Sequence, residues 1–169
     1  LTRPVSLLGL PMSCVITWML GSAGGCIAAP SLIYFGYTFC PDVCPLEVQR
    51  NAQAKNILDD QGIETTPVFI SIDPARDTVE VVGHFAANFH DRMIGLTGTP
   101  EQVRAASQVY RTYYEKQDTD DNYYLVNHSV YTYFMLPDHG FMEFFGRDST
   151  PEQVAESVAC FVDAAERAS

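Results

Sequence analysis

The sequence predicts an α/β domain: a mixed sheet with helices on both of its faces. Short β-rich runs alternate with longer stretches of helical period, which implies parallel strands joined by right-handed crossovers. Two further runs near the C-terminus, separated by a turn, add antiparallel strands to that sheet. With 169 residues and 47% hydrophobic content the chain is long enough for a single domain with a sizeable core, and it carries no internal repeat.

The first 29 residues stand apart. From Pro4 to Pro30 there is no charge, Arg3 is the one preceding cation, and all 21 acidic residues lie at or after Asp42. The run VSLLGLPMSCVITWMLGSAGG has the length of a membrane anchor or an export-signal core, and Gly24-Gly25-Cys26 hints at a lipoprotein cleavage site. Two other readings compete. The segment could be a buried piece of the domain, although Pro11, Gly21, Gly24 and Gly25 interrupt any regular period, or it could be foreign to the domain's native N-terminus. The chain therefore divides into an apolar segment, 1–29, and a domain, 30–169.

Within the domain, Ser31 to Tyr37 has the composition of a buried strand and stops at Cys40-Pro41-Asp42-Val43-Cys44-Pro45. Pro45 suits a first helical position and biases Cys44 away from helix, so both cysteines are expected on the strand-to-helix loop. There the helix dipole would favour thiolate at both sulfurs. The helix from Pro45 to Asp60 is loosely amphipathic through Leu46, Gln49, Gln53 and Leu58, has Lys55 on its polar side, and stops at Gly62. Thr66 to Ile72 reads as a parallel strand covered on both faces. Asp77 and Glu80 suggest a capping box for a helix with Val82, Phe85, Ala86 and Phe89 inward, ending about Asn88. A strand follows over Met93 to Thr97, then a helix capped by Thr99 and Pro100, with Val103, Ala106, Tyr110 and Tyr113 as its buried stripe. Glu115 to Asn122 reads as an acidic loop, with a short extension to Val126 before Asn127-His128-Ser129. Val130 to Leu136 and Phe141 to Phe145 form a hairpin, and Thr150 caps a last helix with Val154, Val158, Phe161, Val162 and Ala165 inward. This βα βα βα β-β α order is the layout of a thioredoxin-like domain, in which ligands gather where strand C-termini feed helices.

Charge narrows the function. A net charge of -11 with only ten scattered Lys and Arg excludes a nucleic-acid groove and favours an electropositive partner. Five cysteines cannot form a complete disulfide framework, and only Cys40 and Cys44 are close neighbours; Cys160 is expected as a small buried hydrophobe. Two cysteines beside prolines at a strand-to-helix loop are an odd way to fill a core. Redox dithiol and metal site both remain open, the three-residue spacing leaving space for an ion without excluding a disulfide. His128 sits before the hairpin, at the edge where the first strand ends, whereas His84, His90 and His139 read as solvated. Two thiolates with one imidazole suit Cu(I), and with a fourth ligand Cu(II), while a structural zinc site would need a fourth protein ligand that the sequence does not supply. Asp42, Asp73 and Asp77 could stand behind such a site or cap helices, capping being the better reading for Asp77.

The run FGYTFCPDVCP, the later DPARDT, and NHS ahead of YTYFMLPDHGFMEFF resemble the Sco/SenC family of thioredoxin-fold copper proteins that assemble cytochrome c oxidase. The likeness spans about Pro30 to Ala165. It implies copper, as Cu(I), Cu(II) or both, bound by Cys40, Cys44 and His128, and delivery to, or thiol maintenance of, the binuclear copper site on cytochrome c oxidase subunit II. Another copper chaperone or a thiol reductant would be a further partner. It also implies a place outside the cytoplasm: the periplasmic side of a bacterial inner membrane or, alternatively, the intermembrane-space side of the mitochondrial inner membrane. Membrane association would run through Leu1 to Ala29 if that segment is native. The family's charged β-hairpin ahead of the cysteine strand has no counterpart here, which concerns the anchor and the sheet's N-terminal part rather than the ligand set. A metal-free thiol-disulfide oxidoreductase using Cys40 and Cys44 is the alternative function, weakened because no proline occurs from Asn122 to Leu136 opposite the pair. A thiol peroxidase, which needs one activated cysteine with Thr38 and a placed arginine, is more remote.

Overall fold

The computed structural model describes residues 29–117 and 124–168, so the apolar segment expected before Ala29 lies outside the described residues. The chain enters through β1 (Ser31–Gly36), whose side chains are all buried, and turns through the cysteine loop into α1 (Val43–Asp60). There follow β2 (Thr66–Ser71), α2 (Val79–Phe89), β3 (Ile94–Leu96), α3 (Pro100–Tyr110), β4 (Tyr114–Lys116), β5 (Val126–His128), β6 (Thr132–Leu136), β7 (Gly140–Phe145) and α4 (Pro151–Ala168). Five strands make the main sheet in the order β3-β2-β1-β6-β7, with β1, β2 and β3 parallel and β6 and β7 antiparallel. β4 and β5 pair with each other in a separate two-stranded ribbon.

Alternation along β1 assigns the layers. Tyr34 and Phe35 are successive and so point to opposite faces. Tyr34 reaches Cys44 of α1, whereas the Phe35 ring packs edge-on against Tyr110 of α3, 5.1 Å between centroids. α1 and α3 therefore cover different faces, as the mixed α/β pattern requires. β1 to β2 to β3 step in one direction, so right-handed crossovers place α2 on the face of α1, where Phe85 meets Phe69. On the same face α4 packs beside α1, Ala54 and Leu58 joining Val154 and Val158 in one apolar cluster.

Several expectations are corrected. α1 begins at Val43, so Cys44 lies in its first turn rather than on the loop, and Asp42 is its N-cap without a side-chain cap bond. The helix looked only loosely amphipathic because it is buried on two sides and carries a polar network inward. Lys55 is buried and pairs with Asp59, Arg50 and Asn51 bond Thr132 of β6, and Leu46 is exposed. Thr78, accepting from the Val81 amide, caps α2 in place of Asp77. α3 ends at Tyr110 because Arg111 takes a left-handed conformation (φ 52°), which leaves Tyr113 exposed instead of in the buried stripe. Tyr114 to Lys116 form a strand where an acidic loop was expected, and the expected loop residues 118–122 lie outside the described residues. β6 starts at Thr132, two residues late, and His128 closes β5 instead of lying on a loop. Cys160 is exposed.

Candidate metal centre

The end of β1 and the start of α1 build the site. Gly36 closes the strand, the Cys40 amide turns back onto the Tyr37 carbonyl at 3.2 Å, and the first-turn amide of Cys44 donates to the Cys40 sulfur at 3.5 Å. A helix N-terminus thus offers its free N–H groups to one sulfur in particular. The two sulfurs and a ring nitrogen of His128 lie within 4.8 Å of one another, and among the described residues no other group of His, Cys, Asp or Glu has such spacing. His128 Nδ1 lies 2.8 Å from the Ser129 carbonyl. A carbonyl can only accept, so Nδ1 carries the proton and Nε2 presents its lone pair to the sulfurs, 3.4 Å from Cys44 Sγ. The imidazole edge meets the Tyr34 and Tyr37 rings at 6.2 and 5.8 Å between centroids, which orients it from two sides.

The sulfurs are not equivalent, contrary to the expectation of two dipole-activated thiolates. Cys40 is held well below the ordinary thiol range by its hydrogen bond from Cys44, against the opposing effect of burial, with the amides of Asp42 and Cys44 adding to the depression. Cys44, fully buried, is pushed far above that range by the neighbouring Cys40 sulfur and by burial. One charge is shared by the pair and it resides on Cys40. An ion supplied to the site would have to displace the Cys44 proton.

Close approach at this corner needs a residue without a side chain: a Cβ on Gly36 would stand 2.9 Å from Cys44 Sγ. The loop itself is tied down by Asp77. This buried carboxylate accepts from the Thr38 amide (3.0 Å), the Thr38 hydroxyl (2.5 Å) and the Ser71 hydroxyl (2.6 Å), so it fastens the cysteine loop to the end of β2. Its expected capping role is thereby replaced. Asp73 accepts from Tyr124 and Arg76 and faces neither a sulfur nor His128 directly. Asp42 is exposed and touches the site only through its backbone. His90 bonds Asn56 and the Arg92 amide, away from the sulfurs.

Sequence reasoning missed Gly36, Tyr34, Tyr37 and Arg76. A glycine closing a buried strand four residues before a cysteine was the available signal for Gly36. Arg76 stands three residues after Asp73, a spacing that allows a pair on one turn.

The chain matches the protein-family model described as SCO1/SenC over residues 24–163. It is 54% identical over 138 residues to the protein SenC of Rhodobacter capsulatus, covering 82% of this chain and 62% of that protein. To the mitochondrial SCO1 homolog 1 of Arabidopsis thaliana it is 41% identical over 129 residues, covering 76% of this chain and 39% of that one. In both cases the chain spans less than two thirds of the relative's length. Among solved structures it is similar to the Arabidopsis thaliana ScoI with copper bound, with a TM-score of 0.77, 38% identity, and coverage of 82% of this chain and 86% of that chain.

Proposed function

Since the chain belongs to the SCO1/SenC family, we propose that it is a copper metallochaperone that carries one copper ion on Cys40, Cys44 and His128. Its client is the binuclear copper site of cytochrome c oxidase subunit II. The observation that carries this reading is the donor set, two sulfurs and one imidazole nitrogen within 4.8 Å, with no fourth His, Cys, Asp or Glu joining them among the described residues. Soft sulfurs in so small a number favour copper over zinc. A copper-bound relative of the same fold supports the choice of metal.

Transfer proceeds by ligand exchange. Cys40 keeps a little exposure and Cys44 has none, so an incoming thiol or imidazole from the client approaches from the Cys40 and His128 side. The client donor binds before the chain's own donors leave, and Cys44, deepest in the core, lets go last. The relatives include a bacterial SenC and mitochondrial Sco proteins. On that basis the domain works outside the cytoplasm, on the periplasmic face of a bacterial inner membrane or the equivalent mitochondrial face, beside a membrane-bound oxidase.

The unequal sulfurs favour a second activity at the same place. Cys40 as thiolate attacks a client disulfide, forming a mixed disulfide and expelling one client thiolate. Cys44 then loses its proton and attacks the Cys40 sulfur, which releases the second client thiolate. Two electrons pass to the client and a Cys40–Cys44 disulfide remains, to be reset by a thiol reductant. The same pair would so prepare the client's cysteines for the metal.

The test is anaerobic titration with Cu(I) and with Cu(II) of the wild type, Cys40→Ser and His128→Ala, followed by visible spectra. One ion per chain and a sulfur-to-Cu(II) charge-transfer band are expected for the wild type. Cys40→Ser should lose that band, and His128→Ala should weaken Cu(II) by about 10- to 100-fold while leaving Cu(I) within about threefold. Unchanged affinities in both variants would end the copper reading.

A further inference from the structure

We propose that Arg76 is the positioning residue that decides whether His128 stands at the two sulfurs, and that it acts through Tyr124. The inference rests on the three-donor site proposed above. His128 is delivered by the β4–β5 ribbon, whose strands have three residues each and share no pairing with the main sheet. A two-stranded ribbon of that length does not hold its place alone. It has to be fastened from outside, and the described contacts show where.

The fastening converges on Tyr124, two residues before β5. The Arg76 guanidinium lies over the Tyr124 ring, 3.6 Å from its centroid, and its Nη1 donates to the Tyr124 carbonyl at 3.0 Å. Arg76 Nε pairs with Asp73 at 2.5 Å, and the second oxygen of Asp73 accepts from the Tyr124 hydroxyl at 2.6 Å. Tyr124 is thus gripped at its ring, its main chain and its hydroxyl by one i,i+3 pair. The same guanidinium also sits over Phe39 at 4.9 Å and over Tyr37 at 5.7 Å. Phe39 precedes Cys40, and the Tyr37 hydroxyl accepts from the Val126 amide at the start of β5.

Arg76 therefore touches the segment that leads into the cysteines and the segment that leads into His128, from a loop that belongs to neither. The planar, always charged guanidinium suits this better than an ammonium would, since it stacks on rings while donating in its own plane. Lys116, 3.7 Å from the centroid of the same Tyr124 ring, adds a second cation from inside the ribbon. The main sheet makes no comparable demand on Arg76. Its loss should loosen the ribbon and leave the sheet as it was.

The consequence is selective. Cu(I) is satisfied by two thiolates, whereas Cu(II) needs the nitrogen. Loosening His128 should weaken Cu(II) and spare Cu(I).

The test uses Arg76→Leu and Arg76→Lys in the full chain. In metal-free protein, amide hydrogen exchange at Val126 and Ser129 should quicken about tenfold or more in Arg76→Leu, with β1 and β2 unchanged. Cu(II) affinity should fall about 10- to 100-fold and Cu(I) affinity stay within about threefold, with Arg76→Lys in between. Unchanged exchange at Val126 and Ser129 would overturn the proposal, as would acceleration spread evenly over β1 and β2, which marks a merely structural residue. Retention of wild-type Cu(II) affinity by His128→Ala would instead overturn the three-donor site, and the metal-free exchange would still decide whether Arg76 holds the ribbon.

Discussion

Gly36→Ala should injure the site chiefly through its thiol end. A Cβ there would lie 2.9 Å from Cys44 Sγ, 2.9 Å from Tyr34 Cε1 and 3.0 Å from Phe69 Cε2. Ordinary contact begins near 3.5 Å, so these atoms must yield by roughly 0.5–0.6 Å, and all three side chains are fully buried with nowhere to go. Overpacking of this kind costs about 1–3 kcal/mol, which for a chain of this size lowers the melting temperature by about 3–10 °C. Because the displaced atom is a sulfur, Cu(I) affinity should fall by about tenfold or more, in contrast to His128→Ala, which spares Cu(I). The internal control is Gly83→Ala: an added Cβ there meets nothing within 4 Å, and a helix-interior Ala should be worth about 0.5–1 kcal/mol over Gly. Calorimetry and competitive Cu(I) titration check both. If Gly36→Ala melts within about 1 °C of wild type and binds Cu(I) with wild-type affinity, the close packing of Cys44 against the strand end is not what places the sulfur.

Asp77→Ala should strip three donors of their acceptor, the Thr38 amide and the Thr38 and Ser71 hydroxyls; with about 1–3 kcal/mol for the buried Ser71 hydroxyl left unpaired and less for the half-buried Thr38 groups, which water can reach, urea unfolding should show a loss of about 2 kcal/mol, and a loss below about 0.5 kcal/mol would remove Asp77 as the tie of the cysteine loop. The unequal thiols predict unequal alkylation. Iodoacetamide should modify Cys40 at a rate that is nearly flat from about pH 6 to 8, where a free thiol speeds up about tenfold per pH unit, because Cys40 is already ionised there. Cys44 should stay unmodified in the folded chain. A Cys40 rate that climbs tenfold per unit through that window would refute the assignment. The linked stability has a definite sign: Cys40's folded pKa is depressed, so its contribution is complete above the unfolded thiol pKa and is lost as pH falls toward the folded value.

How much of this was legible follows from where the information resides. Element order, parallel crossovers and the hairpin were readable because β2 is nearly uniformly apolar and the helices after Thr99 and Thr150 carry their caps in sequence, each with a reciprocal Gln bond in the structure, whereas the strand order in the sheet was not read. The cysteine pair was readable because its prolines are local. Helix α1 was misread because Arg50 and Asn51 turn inward to partners 81 to 96 residues away, Thr132 and the Gly146 carbonyl, which no periodicity encodes, and because Lys55 is buried although its i,i+4 pairing with Asp59 looks like an ordinary surface pair. Asp77 was misread for a related reason. Its neighbours in sequence look like a capping box, but Thr38, 39 positions earlier, takes its carboxylate. The ribbon that carries His128 escaped notice because three-residue strands give no pattern to count.

The two halves of the site differ in how they are held, and that difference bears on handover. Cys44 belongs to the core: it sits in the first turn of α1, its sulfur receives the Tyr34 hydroxyl at 3.8 Å, and it has no exposure. His128 belongs to a ribbon outside the main sheet, pressed into place by ring edges and by one arginine on a tyrosine. Moving Cys44 would mean unpacking a helix start against the sheet, whereas moving His128 asks that a short ribbon leave the Asp73–Arg76 grip on Tyr124 and the Tyr37 hydroxyl at Val126. On the proposed function the imidazole is therefore the donor that yields to an incoming ligand, Cys40, buried but not wholly closed off, follows, and Cys44 keeps hold until the client's own donors are in place. A carrier built this way binds firmly through its core and releases through its edge, which lets one site serve both storage and transfer without unfolding.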